Sequence, residues 1–191
     1  MQTNIVWAGI EYHSIENCLI TNSTHGTTIA STIIGSYEGK LYKVDYAIKV
    51  NNEWETKELN IKARHSDREE EILLVKNSED DWMMNNEKVY TFTGCIDVDI
   101  ALTPFTNTLP VNRLKLHEGE EQIISVIYVD LLNWDVKPVK QLYRRAAENI
   151  YHYENIPNNF EADIMVDKQG VVIDYPGLFN RSAVLNSRYE I

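Results

Sequence analysis

The residues best suited to chemistry stand in the run Gly94-Cys95-Ile96-Asp97-Val98-Asp99-Ile100. Read as a strand, the run sends Asp97 and Asp99 to one face, about 7 Å apart, and Ile96, Val98 and Ile100 to the other. Two carboxylates so placed could work as acid and base or hold a divalent ion. They could equally lie on a solvated face or accept from backbone donors of a neighbouring loop. Asn107, Arg113 and Asp174 complete the polar set an enzyme could draw on. Other routes to chemistry find little support. His13, His25, His65, His117 and His152 are scattered, without i, i+4 or His-x-His spacing, and neither Cys18 nor Cys95 has a Cys-x-x-Cys partner. No metal is expected on these ligand rules. There is no Gly-x-Ser-x-Gly elbow and no glycine-rich phosphate cradle, so no nucleophile and no cofactor are expected either. Cys95 reads as a small core residue.

Aromatic residues say more. Eleven Tyr and four Trp stand against four Phe. Tyr and Trp join apolar area to a polar handle, which suits the wall of a site for an amphipathic ligand, although a curved sheet also needs large side chains to fill space. Tyr42, Tyr46 and Trp54 are candidates for such a wall. The formal charge of −11 excludes nucleic acid as a partner, because a phosphate backbone demands a concentrated positive field, and argues equally against adsorption to an anionic membrane. With 191 residues and no low-complexity linker, one domain over 1–191 is expected. Two cysteines and the lack of a secretory leader or long apolar run predict a cytoplasmic protein.

The elements that must position these residues are mostly strands. Tyr42, Val44, Tyr46, Ile48 and Val50 alternate with Lys43, Asp45 and Lys49, and Leu59, Ile61 and Ala63 alternate with Glu58, Asn60, Lys62 and Arg64. Asn51-Asn52 between them predicts a hairpin turn, since Asn tolerates positive φ. Phe160, Ala162, Ile164 and Val166 form a second such run, turned by Lys168-Gln169-Gly170 into Val171, Ile173 and Tyr175. Further candidate strands are Ser14–Thr21, Thr28–Tyr37, Glu70–Lys76, Ile96–Leu102 and Gln122–Leu132, with turn signals at Glu38-Gly39, Asn85-Asn86 and Glu118-Gly119. Two segments read as helix. One lies around Leu109–Leu114, with Thr108 as N-cap and Pro110 in the first turn. The other is Pro138–Ile150, where Val139, Leu142, Tyr143, Ala146 and Ile150 recur at helical spacing, although a hairpin through Ala147-Glu148-Asn149 is the alternative.

The run from Gly94 to Leu114, Gly-Cys-Ile-Asp-Val-Asp-Ile-Ala-Leu-Thr-Pro-Phe-Thr-Asn-Thr-Leu-Pro-Val-Asn-Arg-Leu, resembles the signature of a bacterial family labelled glycolipid-binding, formerly a domain of unknown function. Gly170-Val-Val-Ile-Asp-Tyr-Pro-Gly-Leu-Phe is a second match, and Trp7, the Tyr42–Tyr46 strand with Trp54, and Tyr151-His-Tyr-Glu are weaker ones. The resemblance implies a mainly β fold, a spiral β-roll whose long curved antiparallel sheet wraps around a single α-helix, placed here at Thr108–Leu116. It also implies two strands over Gln141–Glu154, against the helical spacing. No catalytic residue carries over from the family, and its label rests on fold likeness to lipoprotein carriers, which is analogy.

The leading expectation is a non-enzymatic module holding a glycolipid or similar amphipathic ligand between the concave sheet and the helix. Tyr42, Val44, Tyr46 and Ile48, then Ile96, Val98 and Ile100, with Leu109 and Leu114 opposite, are expected to face inward, and Asp97 and Asp99 away from the helix. The alternatives are an enzyme using the polar residues of the signature run, and a structural protein acting as a homodimer through a sheet edge.

Overall fold

The computed structural model describes residues 1–187. Fifteen strands follow one another along the chain: β1 (Gln2–Gly9), β2 (Ser14–Ser23), β3 (Gly26–Tyr37), β4 (Lys40–Val50), β5 (Thr56–His65), β6 (Arg68–Lys76), β7 (Trp82–Met84), β8 (Glu87–Lys88), β9 (Asp97–Ile100), β10 (Glu121–Asp130), β11 (Asp135–Ala147), β12 (Ile150–Ile156), β13 (Glu161–Val166), β14 (Val172–Tyr175) and β15 (Phe179–Ser187). One short α-helix, α1 (Thr108–Leu114), separates β9 from β10. All the strands join one sheet, in the order β8-β7-β6-β5-β4-β3-β2-β1-β15-β14-β13-β12-β11-β10-β9. Every neighbour is antiparallel except β9, which pairs parallel with β10.

The first and last strands meet in the middle. β1 pairs with β15 from Gln2 opposite Ser187 to Gly9 opposite Phe179, so two meanders are joined side by side. Trp7 on β1, 0% exposed, donates its indole N–H to the Val172 carbonyl of β14 at 3.0 Å and so crosses the seam. β8 and β9 lie at opposite ends of the sheet although only a short segment links them. The sheet must therefore curl until its ends approach. Trp82 of β7 donates to the Cys95 carbonyl at 2.8 Å, and the Tyr46 hydroxyl of β4 lies 3.2 Å from Thr103 Oγ1, just after β9.

Alternation places the core as expected in the first meander. Tyr42, Val44, Tyr46, Ile48 and Val50 are buried, and Leu59, Ile61 and Ala63 pack with them. Two-residue turns occur at Glu38-Gly39 and Asn85-Asn86, where both residues have positive φ, as tight hairpins require. At Asn51 the mechanism differs from the one anticipated. The Asn51 side chain accepts from the N–H groups of Glu53 and Glu55, and it is Trp54 that takes the positive φ of 65°. Asn77 and Asp167 repeat that side-chain turn, accepting from the N–H groups two and four residues on.

Residues 138–150 form a hairpin limb, not a helix: Lys140 to Arg145 pair in register with Ile156 to Tyr151 of β12. The helix is shorter than Thr108–Leu116, ending at Leu114 with Lys115 in the left-handed region. Thr108 is its first residue and does not cap it. The chain enters from a 3-10 turn, Phe105–Asn107, so Asn107 occupies the capping position and makes no side-chain cap bond.

β9 corrects a larger expectation. Val98 and Ile100 do join the core with Leu109, whereas Ile96 precedes the strand. The other face is not solvated. Asp97 is buried and Asp99 partly so, Asp97 turned to Arg113 of the helix and Asp99 to Gln141 of β11.

Candidate functional site

Asp97 is fully buried and held by Arg113 of α1: Nη2 lies 2.6 Å from Oδ2, and Nε 3.1 Å from each oxygen. Burial raises the Asp97 carboxyl above the ordinary carboxylate range, and the Arg113 guanidinium works against that rise. Asp99, two residues on, has neutral partners. Its Oδ1 accepts from Thr106 Oγ1 at 3.0 Å and its Oδ2 from Gln141 Nε2 at 2.6 Å. Burial again raises its pKa, opposed only by those two hydrogen bonds.

Asp99 lies at a cavity of about 610 Å³ that opens between β9, β10, β11, β12 and the loops around β14. Its wall is a chain of rings. Tyr153, Phe160 and Tyr175 form a triangle with centroids 6.1–6.2 Å apart. Phe179 continues from Tyr175 at 6.3 Å, and Tyr12 from Phe179 at 5.8 Å. Tyr128, Val139 and Leu178 add further apolar surface. The lining also carries polar groups: Asp99, Gln141, Thr103, Asn107, Asn155 and Asn159. Rings and polar groups that line one cavity can hold a molecule with both apolar and hydrogen-bonding surface.

Of the residues singled out from the sequence, Asp99 and Asn107 line this cavity. The Asn107 amide also donates to the Tyr143 hydroxyl at 3.0 Å, inside the core. The others lie elsewhere. Tyr42 donates to the Tyr12 carbonyl at 3.0 Å and thereby supports the loop that carries one ring of the wall. Tyr46 donates to Glu16 Oε1 at 2.6 Å within the core. Trp54 packs half-buried against that core from its turn. Asp174 pairs with Asn180 on the outer face. The solid packing of Tyr42, Val44, Tyr46, Ile48 and Leu109 leaves the space between the first meander and the helix filled. The open volume lies at the start of the helix and beside the second meander.

Several wall residues were not singled out in the sequence, among them Tyr128, Tyr153, Tyr175 and Phe179. A signal existed for some: Tyr153, Tyr175 and Phe179 belong to the segments that carry the family resemblance. Tyr12 sits in a loop without periodicity and gave none.

A histidine–carboxylate cluster occupies the outer face of β12 and β13. His152, Glu154 and Glu161 offer ligand atoms within 4.8 Å of one another. His152 Nδ1 already lies 2.8 Å from Asp163 and Nε2 2.9 Å from Glu154. Burial disfavours the charged ring, but Asp163 and Glu154 outweigh it and raise its pKa, so a metal would have to displace a held proton. A second, shallow polar trough of about 390 Å³ runs over the sheet by Asn17, Asp45, Asn60 and Lys62. Among the described residues, no helix is long and apolar enough to cross a membrane.

A long open sheet curled around one short helix, with an aromatic cavity at its inner end, defines a mainly β roll. The chain belongs to the family described as "Putative glycolipid-binding", whose model matches residues 4–181. It is similar in structure to a DUF1089 family protein from Pseudomonas aeruginosa, at 30% identity over 87% of this chain and 91% of that one, with a TM-score of 0.78. No curated protein matches it.

Proposed function

We propose that this chain binds an amphipathic ligand of the glycolipid type in the aromatic cavity and does not transform it. The observation that carries the reading is the continuous ring wall from Phe160 through Tyr153, Tyr175 and Phe179 to Tyr12, in a cavity that Asp99, Gln141 and Asn107 also line. A sugar ring has the same division, apolar C–H faces and hydroxyl edges. Stacking on the rings takes the first, and the carboxylate and amides take the second. A volume of about 610 Å³ lies within the range of roughly 300–1,000 Å³ usual for small-molecule sites. That volume suits a head group with part of a chain, and the remainder of an acyl tail would extend outside.

The test is native mass spectrometry of protein purified from its own host, with extraction of what it carries. The expected result is one lipid-sized adduct per chain, lost in Tyr153→Ala. A chain that is always bare and that takes up no octyl β-glucoside in a calorimetric titration would overturn the reading.

A further inference from the structure

Asp97 and Asp99 belong to one strand, and the sequence supplies an arginine for only one of them. Asp97 has Arg113 on both of its oxygens. Asp99 is held only by the hydroxyl of Thr106 and the amide of Gln141, neither of which carries charge. An ionised carboxylate enclosed without a counter-charge is costly, and the cost is relieved either by a proton or by a cation brought from outside.

The cavity beside Asp99 has room and a lining for the cation. Among the described residues, Lys137 is the one basic side chain lining the cavity, and it is committed to Asp135 at 2.5 Å. The remaining ionisable carboxylates of the lining, Glu11 and Asp130, add negative charge. Ring faces turn negative potential toward a cation and hold it without hydrogen bonds. Burial, and next the charge of Asp99, push the phenols of Tyr128 and Tyr153 upward, so these hydroxyls lie within the reach of its field.

We propose that the cavity selects an ammonium head group: a protonated or quaternary nitrogen seated against the Tyr153–Phe160–Tyr175 triangle, with Asp99 as its counter-charge. This rests on the cavity being an amphiphile site and adds which amphiphile it prefers. The ligand class is an amine-bearing lipid, an amino-sugar glycolipid included. Asp99 is then the specificity-determining residue, and Gln141 and Thr106 hold its two oxygens in place.

The experiment is a calorimetric titration of the full chain with octyltrimethylammonium, octyl β-glucoside and octyl sulfate. All are kept below micelle formation, at about 0.15 M and about 0.5 M salt, because an acidic protein attracts any cation over its surface and added salt screens that exposed attraction far more than an enclosed pair. The expected result is that the ammonium binds at least about tenfold more tightly than the glucoside at both salt concentrations, with the sulfate weakest. Asp99→Asn should bring the ammonium to within about twofold of the glucoside, both measured on the variant. If the glucoside binds as tightly as the ammonium, the selectivity falls and the amphiphile site stands. If none of the three binds, both fall. The ranking on the unaltered chain decides the matter by itself should Asp99→Asn not fold.

Discussion

Arg113 closes on Asp97 from sixteen residues away, with Nε between the two carboxylate oxygens and Nη2 2.6 Å from one of them. The pair ties the single helix to the innermost strand. It also sets the orientation of β9, because with Asp97 turned to the helix, alternation turns Asp99 to the same side and onto the cavity. The signature run thus divides its work: one aspartate anchors the fold, and the other faces the cavity.

Removing Arg113 should be expensive. Arg113→Ala leaves Asp97 buried without its cation, and breaking such a pair costs about 3–5 kcal/mol. With the guanidinium gone, burial dominates at Asp97, and its folded pKa stands further above the unfolded one. The stability held at acidic pH is then lost as pH rises, so urea melts should find the variant less impaired near pH 4 than near pH 8. An equal deficit at both would contradict the pairing.

Glu16 predicts a second pH dependence. Its Oε1 accepts from Tyr46 and from Ser31 at 2.6 and 2.7 Å, its Oε2 has no partner, and burial pushes its pKa from the ordinary 4.5 up to about 7, against the pull of those hydrogen bonds. Below 4.5 the group is protonated in both folded and unfolded chains. Between 4.5 and about 7 only the folded chain keeps the proton, so stability falls as pH rises through that window. At about 1.4 kcal/mol per pH unit, the loss is on the order of 3 kcal/mol. Glu16→Gln should flatten this fall and leave the chain more stable than the parent at pH 8, as read from urea midpoints.

The seam between the meanders should be cooperative. Trp7→Phe removes the bond to the Val172 carbonyl and leaves a buried acceptor, at a cost of about 1–3 kcal/mol. Trp7→Ala should cost about 3–5 kcal/mol. Hydrogen exchange should record faster opening at Ile61 in β5 and Ile164 in β13 alike. Acceleration confined to one meander would mean that the halves unfold separately.

Phe160 separates binding from folding. It is 37% exposed, so Phe160→Ala should change stability by less than about 1 kcal/mol. It removes one ring of the wall and should weaken octyl β-glucoside binding about fivefold, a loss of about 1 kcal/mol. Tyr143→Phe, by contrast, orphans the Asn107 amide in the core and should lower stability by about 1–3 kcal/mol.

How much of this could be read from the sequence depended on whether an element has one wet face. Tyr42 to Val50 and Leu59 to Ala63 do, and their alternation gave both the strands and the buried side correctly. β15 has almost no buried side chain beyond Phe179, so nothing in its pattern announced a strand, let alone one that pairs with β1. The helical spacing of Val139, Leu142, Tyr143, Ala146 and Ile150 was real, but pairing with β12 overrode it; the residues offered the hairpin as the alternative, and the resemblance decided for it. Asp97 and Asp99 were assigned to an outer face because alternation presumes that one exists. In the fold that side meets Arg113 and Gln141 instead of solvent. The cavity itself was out of reach, since its rings come from β10, β12, β14, β15 and two loops that meet only when the sheet curls.

The decisive measurement is a backbone-amide NMR titration with octyl β-glucoside. Saturable shifts are expected at Tyr128, Tyr153, Asn155, Tyr175 and Leu178, with Asn60 and Lys62 of the outer trough unmoved. Shifts that centre on the outer trough, or that never saturate, would contradict a ligand site inside the roll.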